Sequence, residues 1–465
     1  MLERLGQKFT DLFKKYMPDA FVFALILTLI TAVVAMAWMN ATPLEVIKSW
    51  YEGFYLLLEF GMQMVLLIVT GYSIALSSTI QKGIDKLSRA LKTPGQVYFF
   101  VVFVGFLLSM ISWGWVVITA VLARHLALRV KGIHYPYLIA CVYFSMISWV
   151  TGLSSSIPLL LNTPDNYLIE EGILTETIAS EITLGSAMNF GMIATLLILG
   201  PLFMWLLAPK RKSDPLQLSD MLGADKEDFL SLKEEAKEAR LPFKALSDIL
   251  NNSVLLQYII ATMGAVFLCY YFISKGFDLN LNIMIFVFIV LGLFLHRTPM
   301  RFTIAMRRAS SNVSAIIFQF PFYAGIMGIM TYTGLGEHLG QVMAEAATLE
   351  TYPYYAFVLG GIVNFAIPSA GGEFAVIGPS VIEAIQHLGQ GLPPEAVLEM
   401  ISRASMAIAY GEALTNCLQP FFLLLIIPVM AKGIRIQARD VMGYLVIPFL
   451  VFFLVQGILV AWLPL

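Results

Sequence analysis

Long apolar runs alternate with short polar loops along nearly the whole chain. A helix needs roughly 20 residues to cross the hydrocarbon core of a bilayer, and nine runs are long enough, or nearly so, to be predicted as crossing segments. The chain between 209 and 250 is polar instead, with charges of both signs at helical spacing, which predicts a cytoplasmic linker. The crossing segments lie at about 18–39, 54–80, 135–162, 182–208, 254–274, 281–295, 312–333, 401–430 and 441–464.

Two other regions are built from pairs of shorter apolar runs, 97–111 with 115–128 and 354–367 with 374–388. Each run has about 15 residues, which is too few to cross a bilayer. Irregular backbone at membrane depth survives only where protein or a water-filled cavity satisfies it. The pattern therefore predicts two re-entrant helical hairpins, 97–128 and 354–388. An ordinary loop between two short spans is the alternative for each.

The distribution of basic residues supports the re-entrant alternative, because Lys and Arg accumulate on the cytoplasmic side of membrane proteins. If both hairpins return to the side they enter from, only Lys48, Lys275 and Arg403 of the 29 basic residues lie outside. If each hairpin instead added one crossing, the basic segment 210–212 would lie outside as well. The N-terminus is then predicted to be cytoplasmic and the C-terminus periplasmic.

The two halves of the chain share an order of features: a hairpin, then a span with a polar interruption, then a final span. The interrupted spans are 135–162 and 401–430, and we expect both to be broken helices. Ser369 follows Ser112 by 257 positions, and Thr415 follows Ser154 by 261.

This order predicts an internal repeat that the extra span at 254–274 inverts in the membrane. The first repeat is predicted at 1–208, the cytoplasmic linker at 209–250, a linking transmembrane helix at 251–280 and the second repeat at 281–465. Inverted repeats with discontinuous helices are the architecture of many secondary transporters, whose sites lie near the membrane midplane.

Composition fits this class and excludes others. The chain is 58% hydrophobic and 13% charged, with a mean hydropathy of +0.79, whereas soluble domains carry about 25% charged residues. We therefore predict an all-α polytopic membrane protein. Its net charge of −2 and the lack of a basic patch indicate no nucleic-acid partner. No pattern predicts a nucleotide, a resident metal or another cofactor, and no nucleophile–base pair favours an enzyme.

Four polar interruptions are predicted to form one site for a small carboxylate. They are the hairpin tips at 112–115 and 368–373 and the helix breaks at 151–156 and 412–416. Each interruption precedes a short helix whose first N–H groups lack partners and can bind an anion. Ser, Thr and Asn side chains add donors, and glycine allows close approach of the backbone. For each Ser and Thr the alternative is a bond to its own helix, and for each Trp it is core packing. The predicted substrate-binding residues are Ser112, Trp113, Gly114, Ser154, Ser155, Ser369, Gly371, Gly372, Thr415 and Asn416.

Glu373 and Glu412 are the predicted ion-coupling residues, because ionisable side chains at membrane depth are costly and usually functional. Glu373 lies in the tip of the second hairpin, and Glu412 is placed at the second helix interruption. Either could carry a proton. A Na⁺ ion near Thr151, Gly152, Gly411 and Glu412 is the other possibility, and a structural hydrogen bond is the alternative without coupling.

Three motifs carry a resemblance to a known family: the segment 16–25 (YMPDAFVFAL), Ser112-Trp113-Gly114-Trp115 and the segment 367–372 (IPSAGG). Over essentially the whole chain the sequence resembles the bacterial short-chain fatty acid transporter family. The resemblance implies H⁺- or Na⁺-coupled uptake of acetoacetate, butyrate and similar acids across the bacterial inner membrane. We also expect a homodimer.

Pro-Ser-x-Gly-Gly and Gly-Glu-x-Leu-Thr-Asn are similar to motifs of the C4-dicarboxylate carriers in the wider ion-transporter superfamily. That similarity implies an elevator-type movement of a transport domain. Trp113 and Trp115 stand where dicarboxylate carriers favour small polar residues, which favours a monocarboxylate with an apolar tail. A dicarboxylate or amino-acid carrier or exchanger of the same superfamily remains the alternative function, and a channel is a further one.

Overall fold

The computed structural model describes residues 9, 11, 15–16, 18, 20–55, 58–111, 113–164, 166–170, 172–209, 216–222, 231–243, 245–276, 281–310, 313–431 and 433–463. Within these ranges every regular element is a helix. This agrees with the predicted all-α class.

Among its described residues, the first half contains the ten α-helices and three short 3-10 turns given below. The turns are Trp113–Trp115, Met146–Thr151 and Ser180–Ile182. The helices are α1 (Ala20–Trp38), α2 (Pro43–Gly53), α3 (Leu58–Ala75), α4 (Ser78–Ser88), α5 (Pro94–Ile111), α6 (Val116–Arg129), α7 (Tyr135–Ser145), α8 (Ser156–Leu161), α9 (Tyr167–Glu170) and α10 (Ala187–Leu207).

The linker carries three short helices, α11 (Leu218–Leu222), α12 (Leu232–Glu238) and α13 (Leu246–Asn251). The second half has a 3-10 turn at Asn416–Leu418. Its helices are α14 (Val254–Lys275), α15 (Leu281–His296), α16 (Pro299–Ser310), α17 (Ser314–Tyr332), α18 (Leu335–Ala346), α19 (Tyr352–Val363), α20 (Ala370–Leu388), α21 (Pro394–Thr415), α22 (Leu423–Met430), α23 (Ala438–Met442) and α24 (Val446–Trp462).

By length and apolar composition, five described helical segments can cross a membrane. The linking helix α14 exposes a nearly continuous apolar surface, with Ile273 85% exposed, and such a surface is stable against lipid rather than water. The chain is therefore a multi-pass membrane protein. The five segments are Phe21–Trp38, Pro94–Ile111, Tyr135–Leu161, Ala187–Leu207 and Val254–Lys275, and shorter apolar helices lie at Asn282–His296, Tyr352–Val363 and Val446–Trp462.

Four amphipathic helices are not predicted from the sequence: α2, α4, α16 and α18. The predicted span 54–80 is wrong in its second part, because α3 ends at Ala75 and α4 starts at Ser78. With these helices included, each half has the order span, amphipathic helix, span, amphipathic helix, helical pair, broken helix and final apolar helix.

The first broken helix occupies the centre of the protein, since 83% of an 18-residue apolar stretch within Tyr135–Leu161 is buried, against 17% of the corresponding stretches of the outer helices α1 and α14. Glycines bring the helical pairs against the broken helices. A Cβ added at Gly411 would lie 1.9 Å from the carbonyl oxygen of Phe357, and one at Gly152 would lie 2.0 Å from that of Met110. In both halves, therefore, the first helix of the pair contacts the broken helix backbone to backbone, as small residues permit in membranes.

The predicted boundaries need correction at both helical pairs. The first pair spans Pro94–Arg129 and the second Tyr352–Leu388. Helix α5 has 18 residues and α20 has 19, so these two arms are longer than the predicted apolar runs.

The second break also needs correction, because Gly411 to Thr415 are helical and the chain leaves the helix only beyond Asn416. Proline accounts for the shift. Pro420 disfavours helical backbone at the residue before it, and Gln419 is extended, with φ −127° and ψ 151°. The broken helix thus runs over Pro394–Met430, and Glu412 lies inside α21 rather than at its end.

Candidate functional site

The tip of the first helical pair is anchored on the first helix break. The backbone N–H of Trp113 donates to Ser154 Oγ at 2.9 Å, and the N–H of Leu153 donates to the carbonyl of Met110 at 2.7 Å. Ser154 also lies 3.5 Å from the carbonyl oxygen of Ser109. Ser112, predicted to bind substrate, lies outside the described residues.

The second helical pair is bound to the second break by a buried network of amides. Asn364 Nδ2 donates to Thr415 Oγ1 at 2.8 Å and to Asn416 Oδ1 at 3.0 Å. Gln419 Nε2 donates to the same Asn416 oxygen at 2.8 Å. Because these side chains are almost fully inaccessible to solvent, the network fixes the position of Thr415 and Asn416.

Helix α20 starts directly after this network, and Ser369 caps it. Ser369 Oγ accepts from the backbone N–H of Gly372 at 3.4 Å, and the Glu373 N–H donates to the Ser369 carbonyl at 2.7 Å. Its N-terminus faces the first break, since a Cβ added at Gly371 would lie 3.7 Å from the Ser156 side chain.

Contacts across the two halves complete the assembly. Tyr143 on α7 donates its hydroxyl to the carbonyls of Asn416 at 2.8 Å and Gln419 at 2.9 Å. The ring of Trp113 lies edge to face with Phe422, 5.9 Å between centroids. The tips of both helical pairs and both helix breaks therefore lie together.

Trp115 and the predicted substrate-binding residue Gly114 face away from this assembly. Trp115 stacks on Phe288 of α15 with ring centroids 5.6 Å apart. The carbonyl of Gly114 lies 3.5 Å from the position of a Cβ added at Gly71 of α3. This side of the tip contacts helices α3 and α15 rather than the second break.

Sequence reasoning missed a second buried amide, Asn189 at the start of α10. Its Nδ2 donates to the carbonyls of Thr151 at 2.9 Å and Leu184 at 2.8 Å, and its Oδ1 accepts from the Tyr410 hydroxyl at 2.9 Å. Asn189 thereby joins the first broken helix to the second. A single amide in an otherwise apolar span was the available signal, and the same holds for Asn364.

Glu373 and Glu412 form the charged part of the assembly. Both are 0% exposed, and they interact electrostatically across the contact between α20 and α21. None of the four carboxylate oxygens has a hydrogen-bond donor among the described residues. The Asn416 side chain interacts with Glu412 from the next turn, but not in hydrogen-bonding geometry to either oxygen.

Other buried polar groups beside the breaks also lack partners. Within the described chain, Ser155 Oγ and the indole N–H of Trp149 make no hydrogen bond. Buried polar groups are nearly always paired in native proteins, so unpaired ones need an explanation. Unused donors close to two unpaired carboxylates suit a site for a ligand that brings both an anionic group and a positive charge.

The backbone carbonyls expected to hold Na⁺ already accept hydrogen bonds. The Thr151 carbonyl accepts from Asn189, and those of Gly411 and Glu412 accept from Thr415 Oγ1 at 3.2 and 3.1 Å. Gly152, also expected near the ion, packs on the backbone of Met110. Within the described residues no cluster of three or more His, Cys, Asp or Glu side chains could hold a metal ion.

Comparison with known proteins assigns the chain. The family model for short chain fatty acid transporters matches residues 1–463. A protein of Escherichia coli (strain K12) is 36% identical over 450 residues, and one of Haemophilus influenzae (strain ATCC 51907 / DSM 11121 / KW20 / Rd) is 33% identical over 449. Each match covers 96% of both chains, and each relative is named as a putative short-chain fatty acid transporter.

Two solved transporters are similar in outline at 14% identity. The YdaH transporter of Alcanivorax borkumensis gives a TM-score of 0.43, covering 96% of this chain and 98% of that one. Neisseria gonorrhoeae MtrF, from a class of antimetabolite efflux pumps, gives 0.44, with coverages of 98% and 97%. Both likenesses are too remote to support a statement about mechanism. The match over residues 1–463 and the two relatives above 30% identity show that this chain belongs to the short-chain fatty acid transporter family, whose members are transporters and not enzymes.

Proposed function

We propose that the protein is a secondary active transporter that moves short-chain monocarboxylates, such as acetoacetate and butyrate, together with H⁺ or Na⁺ across the bacterial inner membrane. Family membership supports the substrate class. The single observation that supports ion coupling is the pair Glu373 and Glu412, both buried and without hydrogen-bond donors in the described structure.

The physical reason is charge compensation. An isolated ionised carboxylate in a low-dielectric interior is very unfavourable, and two that repel each other are more so. A positive charge must therefore accompany the pair, either as a proton on a carboxylate or as a bound cation. If that charge enters and leaves with the substrate, its gradient drives transport.

The surroundings favour a proton over Na⁺. In many secondary transporters, carbonyls of unwound backbone coordinate Na⁺. Here the carbonyls of Thr151, Gly411 and Glu412 accept protein donors. A proton needs only a carboxylate oxygen, and four of these are unpaired.

The substrate carboxylate is proposed to bind where the tips and breaks meet. Ser154, Ser155, Ser369, Thr415 and Asn416 supply polar groups. The N-terminus of α20 supplies unpaired N–H groups and the positive end of the helix dipole. Gly371 and Gly372 keep that N-terminus open, and Trp113, which lies edge to face with Phe422, would close the opposite side.

Alternating access is proposed to use the inverted repeats 1–208 and 281–465, joined by the linker 209–250 and the helix at 251–280, with an elevator-type movement in a homodimer. The matching order of helices in the two halves supports the repeat. The helical pairs are proposed to be re-entrant. The N-terminus of the chain is then cytoplasmic and its C-terminus periplasmic. This placement rests on the loop charges, because among the described arms of the two pairs α5 alone is both long and apolar enough to cross.

A counterflow assay tests the substrate class. Liposomes that contain the purified protein are preloaded with unlabelled butyrate or succinate, and the same acid is then added outside in labelled form. Flux into protein-free liposomes is subtracted, because fatty acids permeate lipid. We expect saturable exchange of butyrate and none of succinate. Exchange of succinate without butyrate would contradict the proposal and favour a dicarboxylate carrier, and flux that does not saturate would favour a channel.

A further inference from the structure

A narrow gap lies between the two broken helices. It is too constricted in this structure to hold a water molecule. The first broken helix contributes Tyr143, Met146, Ile147 and Trp149 to its lining. The second contributes Ala413, Asn416 and Cys417.

The lining combines apolar surface with a few polar groups. Four of the lining side chains have no strong hydrogen-bonding group: Met146, Ile147, Ala413 and Cys417. Two of these, Ala413 and Cys417, are small. The Tyr143 hydroxyl is already used by the second break. The indole N–H of Trp149 is a buried donor without a partner.

Asn416 connects the gap to the carboxylate pair, because it lines the gap and its side chain also interacts with Glu412. The gap is thus amphipathic. Its apolar lining lies beside the unpaired N–H of Trp149. Asn416 links it to the Glu412 carboxylate, which requires a compensating positive charge. A small monocarboxylic acid has the matching distribution, a polar head on a short aliphatic tail.

We propose that this gap holds the aliphatic tail of the substrate, that Ala413 and Cys417 set the longest tail accepted, and that the Trp149 N–H donates to the carboxylate. This inference rests on the proposed function. Met146 is the side chain best suited to open the gap, because its unbranched thioether rearranges readily. An apolar pocket typically discriminates about 10- to 200-fold between substrates that differ by one methylene.

The test is the chain-length profile of uptake. Initial rates for labelled acetate, butyrate and hexanoate are measured in liposomes, again after subtraction of flux into protein-free liposomes. Ala413→Leu fills the gap and should lower the hexanoate-to-acetate ratio about tenfold or more. Ile147→Ala widens the gap and should raise the same ratio.

Ile139→Ala is the matched control, since Ile139 is equally buried on the same broken helix but does not line the gap. It should leave the ratio unchanged. If Ala413→Leu does not fold, Ala413→Val and Ile147→Ala decide the question. Unchanged ratios in the gap variants, with butyrate transport by the native protein intact, would overturn the tail site and leave the proposed function standing.

Trp149→Phe separates the donor from the shape of the pocket. Removing the indole N–H should raise the half-saturating concentration of all three acids by a similar factor, with no change in their ratio. A shift confined to hexanoate would overturn the donor role. Failure of the native protein to transport butyrate would instead contradict the proposed function itself.

Discussion

Glu373 on α20 and Glu412 on α21 interact electrostatically inside the protein, and no described donor reaches either carboxylate. The polar side chains of the second helix break hydrogen-bond to one another rather than to this pair. The network of Asn364, Thr415 and Asn416 is internally satisfied in this way. The carboxylates are left as the groups that an incoming positive charge can satisfy.

Neutralising either carboxylate should uncouple transport. Glu412→Gln and Glu373→Gln keep the size of each side chain but remove the ionisable group, so a gradient can no longer drive substrate through it. We expect accumulation in liposomes to fall to the equilibrium level. Glu383→Gln is the matched control, because Glu383 lies on the same helix as Glu373 but is exposed. Accumulation by Glu412→Gln equal to that of the native protein would remove Glu412 from the coupling mechanism.

Asn364→Ala should destabilise the second helix break. The change removes three side-chain hydrogen bonds and leaves the buried Thr415 and Asn416 side chains short of a donor. We expect a loss of about 1–3 kcal/mol, measured by unfolding in detergent. Asn162→Ala, at an exposed position, should change stability by less than about 0.5 kcal/mol. Equal effects of the two substitutions would show that the network contributes nothing.

Gly411→Ala should separate α19 from α21. The added Cβ would lie 1.9 Å from the Phe357 carbonyl oxygen, and backbone on both sides prevents relief. Overpacking of this kind costs about 1–3 kcal/mol. Gly83→Ala in α4 meets no atom within 4 Å and should instead stabilise by roughly 0.5–1 kcal/mol, because alanine is the better helix former. A stable Gly411→Ala variant would rule out the close helix contact.

Single cysteines test whether each helical pair returns to the side of the membrane from which it enters. In a background without the native cysteines, Glu350→Cys and Gln390→Cys flank the second helical pair at exposed positions. An impermeant thiol reagent should label both from the periplasmic side. Lys92→Cys and Lys131→Cys, which flank the first pair, should both be labelled from the cytoplasmic side. Labelling of the two members of a pair from opposite sides would show that the pair crosses the membrane.

The sequence allowed prediction of the protein class and the family, because apolar length and polar breaks within apolar runs are strong local signals. The amphipathic helices α2, α4, α16 and α18 were missed, since an apolar stripe of 11 or 12 residues merges with the neighbouring span. The prediction that Glu412 lies at the second break was wrong, because the break depends on Pro420 rather than on Gly411.

Partners in the site lie beyond local pattern altogether. Asn189 bonds to Thr151 and Tyr410, which are 38 and 221 positions away. Tyr143 reaches Asn416 across 273 positions. Asn189–Tyr410 and Tyr143–Asn416 form only when the two halves pack together, so no spacing rule within a single stretch of sequence identifies them.

The central claim, coupled transport through the carboxylate pair, is tested most directly by butyrate accumulation in liposomes under an imposed ion gradient. The native protein is compared under an inward proton gradient, an inward Na⁺ gradient and no gradient, with Glu412→Gln measured in parallel. We predict accumulation above equilibrium under the proton gradient for the native protein and none for Glu412→Gln. Equal accumulation with and without either gradient in the native protein would contradict the account.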